Sequence, residues 1–120
     1  MTALLSLALI VGGTFVPYTL NKGATMFDVS KVAPKFSLGQ TVATPNALAN
    51  IPNDEILNAL SRHIRGDWGT LDAEDLQSNE RALRSGGRLF SSYHSSQDVK
   101  FWIITECDRS VTTVLLPEDY

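Results

Sequence analysis

The chain holds a single cysteine, Cys107, and only two histidines, His63 and His94. One thiol excludes an intramolecular disulfide and any zinc site built on cysteine pairs. A lone Cys in a strand-like stretch reads as a small core hydrophobe, and so few thiols fit a reducing cytoplasm. Charge is also sparse, 19% of residues, and unevenly spread. Lys22, Lys31 and Lys35 precede residue 36, together with one acid, Asp28. Residues 36–120 then carry seven basic and twelve acidic side chains, a net of −5. Wrapping a phosphate backbone requires clustered Lys and Arg, so the composition gives no strong nucleic-acid signal. No internal repeat or low-complexity tract is present, and no cofactor is implied.

What is present is enough for one domain. The 120 residues, 43% of them hydrophobic, exclude disorder along the whole length and can bury a core without staples. Residues 1–35 are expected to form a poorly structured or apolar extension, and 36–120 a single small α+β domain. Within the extension, residues 3–20 carry no charge and reach the lower edge of membrane-spanning length. A signal peptide would need a basic start and a small-residue cleavage site, and neither is there. Two readings remain: translation beginning at Met26, or an N-terminal membrane anchor with a cytoplasmic domain, which the downstream lysines would favour. Gly12, Gly13 and Pro17 interrupt the run.

The domain punctuates itself clearly. Gln40–Ala43 reads as a short strand. Thr44 and Pro45 open a brief helix that Pro52 stops. Asn53 is the expected cap of a second helix, about 54–65, with Ile56, Leu57, Leu60 and Ile64 on one face and Gly66 as its stop. Asp72 caps a third, about 73–85, with Asp75 in the reciprocal position and a thin apolar face of Leu76, Ala82 and Leu83. Beyond Gly86-Gly87 the period changes to two. Leu89, Ser91 and Tyr93 alternate with Phe90 and Ser92, and Val99, Phe101, Ile103 and Thr105 with Lys100, Trp102, Ile104 and Glu106. A last strand covers 111–116. Three strands joined by short polar turns predict an antiparallel meander with the helices on one face.

The strings LGQTVATPNAL, RHIRGDWGTLDAED, NERAL and WIITECDRSVTTVLLPEDY, in that order, resemble a family of short proteins of bacterial plasmids and integrated elements. These are described as plasmid-related proteins, and sometimes as type I restriction endonuclease subunit M. The resemblance covers residues 39–120. It implies an accessory or interaction role on a mobile element and carries no catalytic motif. A methyltransferase subunit would need a glycine-rich cofactor loop and an Asn/Asp-Pro-Pro-aromatic motif, and this chain has neither.

Several residues are candidates for chemistry. Asp98-Val99-Lys100 matches half of a metal-dependent nuclease site and would need a second acid, Glu106 or Asp67 or Asp75. The bland alternative is a turn residue followed by a solvent-facing Lys. His63 and His94 are possible acid–base groups, against a helix-end His favoured by the dipole and an exposed strand-end His. Asp67 and Trp68 would line a pocket beside His63, or else serve a helix stop and a core plug. Asp108 and Arg109, with Glu106 and Ser110, form either an anion or metal site or a turn with an internal ion pair. Trp102, with Lys100 and Ile104, marks the open sheet face as a contact surface, and an edge strand offers a route to self-association. A helix-turn-helix is excluded by the long 66–72 link and the acidic third helix.

Overall fold

The computed structural model describes residues 6–11, 14–19 and 34–120. The elements are β1 (Ser6–Val11), β2 (Thr14–Thr19), β3 (Gln40–Ala43), α1 (Pro45–Asn50), α2 (Asn53–Ile64), α3 (Ala73–Ser85), β4 (Leu89–His94), β5 (Lys100–Thr105) and β6 (Val111–Leu115), closed by a 3₁₀ turn, Pro117–Asp119. One sheet has the order β2-β1-β3-β6-β5-β4. The protein is α+β, and its sheet is mixed. β4, β5 and β6 pair antiparallel in sequence order. The expected three-stranded sheet is corrected by β3, which runs parallel to β6 with Thr41 opposite Thr112 and Ala43 opposite Val114. Two features drive that pairing. The α1–α2–α3 crossover is long enough to return the chain parallel, and the free margin of β6 must find backbone partners.

Two stretches of the N-terminal segment join the same sheet. β1 pairs antiparallel with β2 and parallel with β3. Each of these stretches has six residues, strand rather than helix length. No helix among the described residues is long and apolar enough to cross a membrane. Met26 and the proposed start there lie outside the described residues.

Side-chain parity sorts the sheet into two faces. Leu89, Ser91, Tyr93, Phe101, Ile103, Thr105, Thr112 and Val114 are all buried on the inner face. α1 and α2 cover it through Ala47, Ile56, Leu57, Ala59 and Leu60, with Ile51 between them. Each large side chain fully buried there contributes roughly 1.5–3 kcal/mol. α2 starts one residue earlier than expected. Pro52 occupies the cap position without a side-chain bond, and its carbonyl accepts from Glu55 and Ile56.

α3 departs furthest from expectation. Leu76, assigned to its apolar face, is 38% exposed, while Asn79 and Ala82 are buried. The cause is a backbone demand. The Asn79 amide donates to the Phe90 carbonyl (2.6 Å) and accepts from the Phe90 N–H (3.1 Å), so α3 lies along the margin of β4. The loop before α3 treats the next outward-facing residue the same way. Ser92 N–H donates to Trp68 and the Thr70 N–H to Ser92, forming a bridge at Gly69. The outward backbone groups of β4 at Phe90 and Ser92 are therefore met by this chain itself. At the opposite margin, Pro17 in β2 removes a donor from the outermost strand.

Two substitutions test this closure. Gly69 has φ +74°, and an added Cβ would lie 2.0 Å from the Ser92 carbonyl oxygen. Gly69→Ala is expected to cost several kcal/mol in urea unfolding, whereas Gly86→Ala, with open space at φ +86°, costs only about 1 kcal/mol of left-handed strain. Asn79→Leu strands the Phe90 N–H and C=O, roughly 1–3 kcal/mol each. It should also make the Phe90 amide exchange with solvent hydrogen faster than its neighbours in β5.

Candidate functional site

The sequence candidates separate into an interior group and a surface group. His63 anchors the first. The sequence leaves it as either an acid–base group or a helix-end His favoured by the dipole. Instead His63 is 0% exposed, packed between the edge of Phe36 (5.2 Å between ring centres) and Trp68 (5.5 Å). Its Nδ1 is 2.5 Å from Ser91 Oγ and its Nε2 is 2.9 Å from Thr105 Oγ1. Thr105 Oγ1 lies 2.7 Å from Thr112 Oγ1, which donates to the Leu38 carbonyl at 2.7 Å.

Donor counting fixes the protons along this line. The Thr112 hydrogen goes to Leu38, because a carbonyl only accepts. Thr105 must then donate to Thr112, and the His63 Nε2–H must donate to Thr105. Nδ1 is left as the acceptor of the Ser91 hydroxyl. The imidazole is thus neutral and singly protonated on Nε2. Burial, with a smaller contribution from the Arg109 charge, lowers its pKa from 6.5 to about 3. A serine hydroxyl donating to a histidine nitrogen has the chemistry of a nucleophile–base pair. Here both members are fully buried, so the line acts as a structural tie joining α2, β4, β5, β6 and the segment before β3.

Asp67 and Trp68 support that tie from outside. Gly66 (φ +82°) ends α2 with its N–H on the His63 carbonyl, and the Asp67 N–H bonds the Arg62 carbonyl. These two bonds complete a Schellman stop. Asp67 Oδ2 accepts from Arg62 Nε at 2.8 Å, and Arg62 lies 4.7 Å over the Tyr93 ring. The hydrogen bond from Arg62 holds the Asp67 carboxyl below its usual range. Tyr93 donates its hydroxyl hydrogen to the Asp67 carbonyl. Trp68 is buried, donates to Glu80 at 3.0 Å and stacks on Phe36. Asp67 thus serves the helix stop, and Trp68 is a buried plug beside His63.

The β5–β6 turn is built differently from the expected internal ion pair. Asp108 Oδ1 accepts from Ser110 N–H and Oγ–H, which pulls its carboxyl below the usual range. Arg109, at φ +61°, donates to the carbonyls of Ala82, Gly87, Glu106 and Cys107. Its guanidinium therefore closes the carbonyl end of α3, where the helix dipole favours a cation. Cys107 is exposed rather than buried, because it sits in the turn itself.

The nuclease constellation is not assembled. Asp98 occupies the β4–β5 turn with φ +62°, and Lys100 opens β5 opposite His94, which is exposed. Glu106 lies beyond the far end of β5, about 20 Å from Lys100 at the rise of an antiparallel strand, and pairs with Arg88. Among the described residues, no three His, Cys, Asp or Glu side chains converge to hold a metal.

The surface group lies on the outer face of the sheet. Trp102 and Phe90 meet edge to face at 5.2 Å, and Trp102 meets the ring of Tyr120 at 6.0 Å. Arg88 donates to Tyr120 Oη at 2.8 Å. Phe90 and Trp102 are partly buried and Tyr120 is 71% exposed. Ile104, expected on the open face, is only 6% exposed. Neither Arg88 nor Tyr120 was singled out by the sequence. The alternation that puts Trp102 outward also puts Phe90 beside it, and that is the signal that pointed here.

No protein-family model, curated protein or solved structure matches the chain.

Lowering the pH tests the His63 assignment. The unfolded chain takes up a proton on His63 below 6.5, and the folded chain only near 3. Between those values the unfolded state binds more protons, so stability is complete above pH 6.5 and falls as the pH drops, by up to about 1.4 kcal/mol per pH unit. The Asp67, Asp108 and Asp119 carboxyls start from 3.8 and have lowered pKa values, so their losses come at lower pH. Urea unfolding between pH 6.5 and 5 should show this slope in the native protein and lose it in His63→Gln.

Proposed function

We propose that this chain works by binding, as a non-enzymatic accessory protein of a bacterial mobile element, acting in the cytoplasm. The observation that carries the reading is the row Arg88, Phe90, Trp102 and Tyr120 on the outer sheet face. It combines partly open aromatic rings with an arginine. Trp, Tyr and Arg dominate the energetics of protein contacts, because they offer large rigid area with a polar handle. The resemblance to plasmid and integrated-element proteins supplies the biological setting. The acidic balance of residues 36–120 favours a protein partner over nucleic acid. Several groups expected to do chemistry support the same reading, since His63, Asp67 and Arg109 are each committed to internal bonds.

A benzophenone amino acid in place of Phe90 tests the surface in living source cells. Irradiation should give a discrete protein adduct that is absent when the probe replaces Gln77 on α3 and is lost when Trp102→Ala is added. Adducts of equal yield from both positions, or none from position 90, would remove this reading.

A further inference from the structure

The outer face already holds something, a piece of this chain. After β6 the chain turns at Pro117, and Asp119 is fastened by three hydrogen bonds. Its Oδ2 accepts from Thr44 Oγ1 (2.7 Å) and from the Leu116 N–H (3.0 Å), and its Oδ1 accepts from Asn46 Nδ2 (3.0 Å). Burial pushes this carboxyl up, but the hydrogen bonds from Thr44, Leu116 and Asn46 outweigh it and hold the group ionised below the usual range. The next residue, Tyr120, takes a hydrogen from Arg88 on its hydroxyl oxygen and stands edge to face against Trp102. Arg88 also lies 5.9 Å from the centre of the Tyr120 ring. A carboxylate and a phenol, on consecutive residues, thus fill two separate sets of donors.

The hold is light. Thr44, Asn46, Arg88 and Asp119 make these bonds at the exposed surface, where each is worth little, and Tyr120 buries under a third of itself. Beyond the buried Leu116, the side chains of Glu118, Asp119 and Tyr120 are exposed. The geometry points to a recognition site spanning the start of α1 and the outer sheet face for an Asp-Tyr segment of a protein partner, occupied in cis by Asp119 and Tyr120 as a displaceable strap. This deepens the binding function proposed above and rests on the outer face being the contact surface. The strap acts as a threshold. Tethering gives it an effective concentration in the millimolar range, so a free segment offering only the same two residues loses to it. A second copy that offers the same two residues is outcompeted in the same way. A partner that adds contacts, to Phe90 for example, can displace it and expose Trp102.

The test uses the synthetic peptide Pro-Glu-Asp-Tyr as probe and the indole N–H signal of Trp102 as readout, assigned with Trp102→Phe. Tyr120→Ala should move the Trp102 signal without moving that of Trp68, which also reports that the fold is intact. The double variant D119A/Y120A should then titrate saturably with the peptide, at a concentration at least about ten-fold below that needed for the native chain. Tyr120→Phe, which keeps the ring and loses the Arg88 bond, should fall between. The strap is overturned if Tyr120→Ala leaves Trp102 unmoved, or if the double variant takes the peptide no better than the native chain. A concentration-dependent dimer that disappears in the double variant would assign the site to exchange of the 119–120 segment between copies and overturn the partner form. If the peptide fails while the Phe90 adduct persists, the strap falls and the contact surface stands. Loss of both removes the surface itself.

Discussion

The fold depends on one neutral imidazole. His63 reaches from α2 through two ring nitrogens into the inner face of the sheet, and the hydroxyl line beyond it runs across β5 and β6 to the Leu38 carbonyl. Five segments that are distant in sequence share this one line. Its four side chains are buried, so their bonds form where an unmet donor or acceptor is costly. The line also fixes register. Ser91, Thr105 and Thr112 must all face inward, and sliding β5 by one residue would turn Thr105 away and bring Ile104 under the helix. Apolar packing around Leu60, Phe101 and Ile103 supplies most of the cohesion, and the His63 line makes one arrangement of those elements correct.

A second constraint is the margin of β4. A four-residue strand such as β3 can serve one side of a sheet, but the other side ends at β4 with backbone groups facing outward. The chain answers with a side chain rather than another strand. Asn79 presents an amide to Phe90 with the same donor and acceptor pattern that a neighbouring strand would present. The Trp68–Thr70 loop does the same for Ser92. This closure explains why α3 buries an asparagine and leaves a leucine exposed, and why Gly69 must be glycine, since its main chain presses directly on that of Ser92.

Much of the frame was legible in the residues. Period-two alternation around Phe101 and Ile103, the Thr44 and Asp72 caps and the stops at Gly66 and Gly86 are local signals, and the structure carries each of them. Long-range pairing was not legible. β3 has only four residues, and nothing in Gln40–Ala43 reveals a parallel partner seventy residues later. The burial of His63 was hidden for a related reason. On the helix it lies beside the apolar stripe, and only the sheet's hydroxyls, from Ser91 and Thr105, make that position tolerable for an imidazole. Arg109 misled in the same way. It lies among acids in sequence, yet bonds carbonyls of a helix end that folding brings to it.

The two tryptophans show how position decides between stability and recognition. Trp68 follows a helix stop, and Gly66 and Gly69, both at positive φ, bend the chain so that its indole enters the space between α2 and α3. Its one polar atom is met by Glu80, so it has nothing left to offer a partner. Trp102 sits at an even position of β5, between the buried Phe101 and Ile103, and parity alone sends it to the opposite face. There it meets Phe90 across the strand pair, and Tyr120 held by Arg88. An aromatic ring in that position adds little to the core. What it gains from Tyr120 it can gain equally from a ring of the same kind on another molecule, because the interaction asks only for an edge at the right distance and an oxygen facing Arg88.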